Sequence, residues 1–147
     1  MDFHVLFVGD GARLKFCKDL ATELSVSHRT IFLGLQEKVG SILAQSSIVV
    51  MSSHYEGFGR SAIEGMAAGK PVIASNVPGL SQVVEGAGLL FEVGDYKMLA
   101  SLILKLTTNE LFYKQVSRNC LDRANQFDIK KMVKGYEQVY EGLFLNK

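Results

Sequence analysis

The sequence carries almost no excess of charge: 16 basic and 15 acidic residues leave a net charge of +1 over 147 residues. A dedicated nucleic-acid binder would show a basic stripe, and this balance argues against that class. It leaves room for a local anion site, since one loop and one helix end can hold a phosphate. Cysteine is scarce. Cys17 and Cys120 both sit inside apolar helical patterns and read as small buried thiols of a reducing compartment. The three histidines, His4, His28 and His54, are scattered, and no zinc-ligand spacing occurs. No apolar run reaches the roughly 18 residues of a membrane span. The start, Met1-Asp2-Phe3-His4, lacks the basic and small-residue features of a signal peptide, so a cytoplasmic location is expected.

What is present is an alternation of short apolar strands and amphipathic helices. Phe3–Val8 reads as a strand ending in Gly9-Asp10-Gly11. Leu14, Cys17, Leu20, Ala21 and Leu24 then share one helical face. Thr30–Leu33 is a short strand closed by Gly34, and Val39, Ile42 and Leu43 mark the next helix. Ile48–Met51 is a strand, Ser61–Ala68 a helix stopped by Gly69, and Pro71–Ala74 and Gly88–Phe91 are further strands. The tail is helical: Leu99, Leu102, Ile103 and Leu106 repeat at helical spacing, a second helix covers Glu110–Asn125, and a third runs from Asp128. That third helix carries Met132, Tyr136, Val139, Tyr140 and Leu143 on one stripe.

Ile48–Met51 and Val72–Ala74 are apolar on both faces, the mark of a parallel sheet covered by helices on both sides. The expected fold class is therefore α/β, a Rossmann-like doubly wound parallel sheet followed by C-terminal helices. Ligands of such sheets bind beyond the carboxyl ends of the strands. That singles out the loops at residues 9–11, 34–36, 52–60 and 75–80.

One of these loops carries chemistry. Glu56-Gly57-Phe58-Gly59 lies between a buried strand and a helix start. Gly57 and Gly59, lacking a Cβ, let the backbone approach a ligand. The first-turn N–H groups of the helix have no partners within it, and with the helix dipole they favour an anion such as a diphosphate. Glu56 can accept hydrogen bonds from sugar hydroxyls, and Glu64 from a vicinal pair such as a ribose presents. Plainer readings stand beside these. Ser61-x-x-Glu64 is also a capping box, which would make Glu64 a helix-start residue. The glycines could serve a tight turn, Phe58 could be a packing residue, and Glu56 a solvated loop charge.

The longer stretch changes the weighing among them by resemblance. Glu56-Gly57-Phe58-Gly59 with Glu64 forms E-G-F-G within E-x7-E, and Glu64-Gly65-Met66-Ala67-Ala68-Gly69-Lys70-Pro71-Val72-Ile73-Ala74-Ser75 resembles E-(A/G)-M-A-x-G-x-P-V-(V/I)-A-S. These are motifs of the retaining, nucleotide-sugar-dependent "group 1" glycosyltransferases of GT-B fold. The likeness extends to Val8-Gly9-Asp10-Gly11, Ile31-Phe32-Leu33-Gly34, Val77-Pro78-Gly79-Leu80, Gly88-Leu89-Leu90-Phe91 and Phe127 with its tyrosine-bearing helix. The resemblance implies the C-terminal, donor-binding half of a GT-B enzyme that moves a sugar from a nucleoside-diphosphate sugar, UDP foremost, to a glycan or lipid-linked acceptor. It implies Glu56 as the catalytic residue at the transferred sugar. Gly57, Phe58 and Gly59 would present backbone to sugar and diphosphate, and Glu64 would hold the ribose. Gly34 and Leu35 would border the base, while Gly9 and Gly11 would line the cleft. It implies no bound metal and no tightly bound cofactor, the leaving diphosphate being stabilised by pre-placed donors.

The resemblance also sets the domain expectation: residues 1–126 as a donor-binding domain lacking its first strand, and residues 127–147 as a helix reaching toward an N-terminal acceptor-binding domain that the chain lacks. The chain is then a fragment, a truncated gene product or one subunit of a split enzyme, inactive alone. The strand and loop bearing an Arg and a Lys for the diphosphate have no counterpart; Arg13, Lys15 and Lys18 do not match them, and Arg60 is no evident substitute. Gln82 stands where Glu is usual and Ser52 where Pro is usual. Two other functions remain open. One is a GT-B-fold epimerase or hydrolase, hinted at only by His54 beside Glu56. The other is a non-catalytic nucleotide-sugar-binding partner module. A dinucleotide-binding reading is weaker, because Leu14 occupies the third glycine position of G-x-G-x-x-G. Lys130, Lys131 and Lys134 on the last helix could meet acidic headgroups in a peripheral contact at the inner membrane face, although a solvated helix face is the plainer account. The apolar stripe of that helix is expected to be partly exposed and able to drive self-association.

Overall fold

A computed structural model describes residues 3–145, the side chain of Leu145 excepted. It divides into two compact units, residues 1–39 and 40–147.

In the first unit β1 (Val5–Val8) pairs in parallel with β2 (Thr30–Gly34), and α1 (Leu14–Glu23) connects them, followed by a 3-10 turn at Ser27–Arg29. Phe7 and Phe32, paired in register, stack with ring centroids 4.9 Å apart. The Lys18 ammonium lies 5.7 Å from the Phe32 ring centroid. Gly9, at φ +125°, breaks the strand, and its N–H donates to the Gly34 carbonyl at 2.8 Å. Among the described hydrophobic residues of this unit only Ala21 is buried.

The second unit holds the core. A short helix, α2 (Val39–Gln45), leads into β3 (Val49–Met51); α3 (Arg60–Ala67), β4 (Val72–Ser75), α4 (Leu80–Val84) and β5 (Leu89–Phe91) follow. The three strands are parallel in the order β3-β4-β5. Three more helices complete the chain: α5 (Tyr96–Thr108), α6 (Glu110–Ala124) and, after a 3-10 turn at Asn125–Phe127, α7 (Ile129–Leu145). Every residue of β4 is buried, as a strand apolar on both faces should be. It joins Ala62 and Met66 of α3, Leu80, Val83 and Val84 of α4, Leu102 and Leu106 of α5, and Val116 and Cys120 of α6 in one cluster. The expectation for β3 needs correction: it stands at one end of this strand order, and Val50 keeps 39% of its surface exposed.

Local chemistry sets the element ends. Gly69, at φ +70°, stops α3: its N–H bonds the Met66 carbonyl and that of Lys70 the Gly65 carbonyl, a Schellman pair. Asp95 and Asn109 cap α5 and α6, accepting from the N–H groups of Met98 and Phe112 at 2.9 and 3.0 Å. Gly65 faces Val49, whose side-chain atoms would stand 3.0–3.1 Å from any Cβ added there, so α3 lies close on β3. The stripe of α7 is exposed as expected, including Met132, Tyr136, Val139, Tyr140 and Leu143. Among the described residues no helix is long and apolar enough to cross a membrane.

Candidate functional site

The loop from Ser52 to Gly59 leaves the carboxyl end of β3 and runs into α3. The buried Ser75, last residue of β4, ties it down: its hydroxyl donates to the Ser53 carbonyl at 2.6 Å. Of the two loop glycines, only Gly59 has a left-handed backbone, at φ +82°, and it is the N-cap of α3. No side chain caps that end. The N–H groups of Ala62 and Ile63 turn back to the Gly59 carbonyl at 3.0 and 3.2 Å, whereas those of Arg60 and Ser61 have no carbonyl partner. Two outward-facing donors at a helix start remain for an anion.

The capping-box reading of Ser61 and Glu64 is not realised. Because Gly59 already starts the helix, Ser61 is its second residue rather than its cap. The Glu64 carboxylate lies one turn along and accepts from Arg60 Nε at 3.0 Å, the two side chains being 39% and 87% exposed. Glu56 is half-buried, and none of the described residues donates to its carboxylate. His54 beside it is exposed. Phe58 is 57% exposed, yet its ring meets that of Phe127 edge-on, centroids 6.0 Å apart at 82°. The reading of Phe58 as a packing residue holds at this contact, while more than half of its surface stays open.

A second loop supports the first. Gly79, at φ +88°, is the N-cap of α4 and lies against the backbone of Glu56 and Gly57. A Cβ on Gly79 would overlap the Glu56 carbonyl oxygen and stand 3.0 Å from the carbonyl atoms of Gly57. A Cβ on Gly59 would meet Leu80 Cδ2 at 3.0 Å. At Gly79 the two loops therefore fit only as glycine against backbone. Sequence reading placed Val77-Pro78-Gly79-Leu80 among the loops of interest but did not foresee this support. Nor did it foresee α4, whose five residues are too few to show a helical period.

The structure thus brings together Glu56, Gly57, Phe58, Gly59 and Glu64 on one loop and one helix start in the second unit. Gly9 and Gly34 meet in the first unit through their backbone hydrogen bond, with Leu35 following Gly34 and exposed. Gly11 follows Asp10, whose carboxylate accepts from the Gly11 N–H at 2.7 Å. Among the described residues, no three His, Cys, Asp or Glu side chains are grouped as a metal site.

Known proteins share this chain's sequence and fold. It is 36% identical over 147 residues to an uncharacterized glycosyltransferase of Methanocaldococcus jannaschii, covering 97% of this chain and 42% of that protein. It is 32% identical over 143 residues to the N-acetyl-alpha-D-glucosaminyl L-malate synthase of Bacillus anthracis, covering 95% of this chain and 38% of that one. The crystal structure of HepE from Anabaena in complex with UDP matches with a TM-score of 0.83 at 29% identity, over 96% of this chain and 40% of HepE. The same protein in complex with UDP-glucose matches with a TM-score of 0.82 at 29% identity, over 95% of this chain and 40% of HepE. The chain therefore spans about two fifths of the length of these relatives. The family model described as glycosyl transferases group 1 matches residues 1–123, and this chain belongs to that family.

Proposed function

We propose that the chain is the donor-binding part of a retaining glycosyltransferase that moves a sugar from a nucleoside-diphosphate sugar, UDP-linked in the first instance, to a glycan or lipid-linked acceptor. The observation that carries this reading is the Glu56–Gly59 loop feeding α3. A half-buried carboxylate with no internal donor precedes two free helix N–H groups, and a second carboxylate follows one helical turn later. That order matches a ligand with a sugar on either side of a diphosphate. Glu56 would face the transferred sugar, and Gly57, Phe58 and Gly59 would line sugar and diphosphate. Glu64 would take the ribose hydroxyls, exchanging its contact with Arg60 for them. Gly34 and Leu35 would border the base, with Gly9 and Gly11 at the cleft edge. UDP is favoured because HepE binds UDP and UDP-glucose.

Charge develops on the diphosphate as the sugar leaves. In this reading the preorganised N–H groups of Arg60 and Ser61 stabilise it, without a metal. Acceptor binding belongs to the part of the relatives' length that this chain does not span. Residues 1–126 would form the donor domain, with residues 127–147 reaching toward that other part by the exposed stripe of α7.

Calorimetric titration of the chain with UDP, GDP, ADP and their glucose conjugates tests the reading, with Glu64→Ala alongside. UDP binding that Glu64→Ala abolishes in a folded protein supports it. A folded chain that binds none of them at millimolar ligand overturns it in favour of a partner module without a working donor site.

A further inference from the structure

Arg123 sits near the end of α6, and nothing in the E-x7-E stretch points to it. Its guanidinium nonetheless joins three elements. Nε donates to the Val83 carbonyl at 3.1 Å and Nη2 to the Gln82 carbonyl at 2.6 Å. Both acceptors lie in the last turn of α4, where carbonyls have no partner within the helix. The cationic plane also lies 5.1 Å from the centroid of Phe127, in the 3-10 turn after α6.

Each of these contacts leads to the Glu56–Gly59 loop by a separate route. Through α4, the helix whose carboxyl end Arg123 holds has Gly79 at its other end, against the backbone of Glu56 and Gly57. Five residues of helix span only about 7.5 Å, too short to flex within. Through Phe127, the ring held by Arg123 is the one that meets Phe58 edge-on at 6.0 Å. One side chain therefore braces both the backbone behind Glu56 and the ring between Gly57 and Gly59.

We infer that Arg123 is a positioning residue for the Glu56–Gly59 loop, acting at once through α4 and Gly79 and through Phe127 and Phe58. The inference rests on the donor-site reading of that loop for its functional consequence, but not for its structural one. A planar fork is required, because two carbonyls and a ring face must be met together. Lysine, a point charge on a flexible stem, cannot meet all three. Gln82 takes part through its backbone carbonyl alone, so Arg123 does not read the unusual side chain at that position.

The test compares Arg123→Lys, Phe127→Leu and Phe127→Tyr in the 147-residue chain. Leu102→Ala, a core substitution in α5, serves as a control for general destabilisation. In the ligand-free protein the backbone amide resonances of Gly57 and Gly59 should move in Arg123→Lys and Phe127→Leu. They should stay in place in Phe127→Tyr, which keeps the ring, and in Leu102→Ala. UDP-glucose affinity should fall about tenfold in the first two variants and recover with Phe127→Tyr. Unmoved Gly57 and Gly59 amides in Arg123→Lys overturn the inference, whatever Phe127→Leu does. So does an equal affinity loss in Leu102→Ala at matched melting temperature. If the parent chain binds no UDP-glucose, the donor-site reading fails, and the amide resonances alone decide whether Arg123 positions the loop. Should Arg123→Lys fail to fold, Arg123→Gln, which keeps a planar donor but loses the fork and the charge over the ring, answers the same question.

Discussion

Gly79 touches Glu56 backbone to backbone: its Cα lies where any Cβ would overlap the Glu56 carbonyl oxygen. The contact links the loop that begins α4 to the loop that begins α3 at the backbone of Glu56 and Gly57. Gly79 also adopts φ +88° and ψ −59°, a conformation closed to other residues without strain.

Gly79→Ala should therefore cost stability twice, by backbone strain of about 1–3 kcal/mol and by the overlap with Glu56. Gly94 offers the comparison. It has a similar φ of +84° but open space at its Cβ position. Urea unfolding should show Gly94→Ala losing about 1 kcal/mol and Gly79→Ala clearly more, with UDP-glucose binding lost only in the latter. Equal losses in the two variants would show that the loop yields to a methyl group and that the close approach does not matter.

A second prediction separates the two roles that the sequence allows Glu64. Since Gly59 rather than Ser61 starts α3, Ser61→Ala should change stability by less than about 0.5 kcal/mol, well short of the ~1 kcal/mol typical of a lost cap. Glu64→Ala removes a pair with Arg60 that is largely exposed, worth about 0.3–0.5 kcal/mol at most for such i,i+4 contacts. Both variants should melt near the parent, while only Glu64→Ala loses UDP affinity. A drop of more than 1 kcal/mol in both, with affinity tracking stability, would restore the capping role.

Much of this was legible in the chain itself. The buried strand β4, the stop at Gly69 and the loop at Glu56 follow from runs of β-branched residues and from glycine placement, which are local properties. Three things were not legible. The helix α4 is shorter than the window in which a helical period can be seen. The exposure of Val50 depends on where β3 falls in the order of strands, not on its own composition. The brace from Arg123 joins residues 40 and 41 positions apart, and no spacing rule connects them. Ser61 and Glu64 fit a capping pattern, but the left-handed turn at Gly59 starts the helix earlier and leaves the pattern unused.

The two cysteines should differ in chemistry. Cys120 is fully buried, and desolvation pushes its thiol above the ordinary range, offset in part by a backbone hydrogen bond at Val72. Burial likewise raises the phenol of Tyr113, whose hydroxyl donates to the Ser47 carbonyl at 2.8 Å. Both groups hold their protons more tightly in the folded state than in the unfolded chain. Their contribution is therefore complete below the unfolded thiol value and is lost as pH rises through the folded values. Urea midpoints should stay level from neutral pH to about 8.5 and decline above it, less steeply in Cys120→Ala. In the folded parent, a thiol reagent should modify the half-buried Cys17 first, with Cys120 reacting only as the fold opens. Prompt modification of both at neutral pH would contradict the packing of α6 against β4.

Glu56→Gln addresses the chemistry most directly. The carboxylate is half-buried and receives no hydrogen bond from any described residue, so neutralising it strands no partner. Stability should stay within about 0.5 kcal/mol of the parent. UDP, which lacks the transferred sugar, should bind Glu56→Gln as it binds the parent. UDP-glucose should lose its margin over UDP, because a neutral amide accepts more weakly from sugar hydroxyls than a carboxylate does, by roughly a factor of two in hydrogen-bond strength. Parallel calorimetry with the two ligands reads that margin directly. If Glu56→Gln weakens UDP and UDP-glucose alike, the carboxylate acts on the nucleotide or on the shape of the loop. The sugar would then have to be held elsewhere than at the E-G-F-G turn.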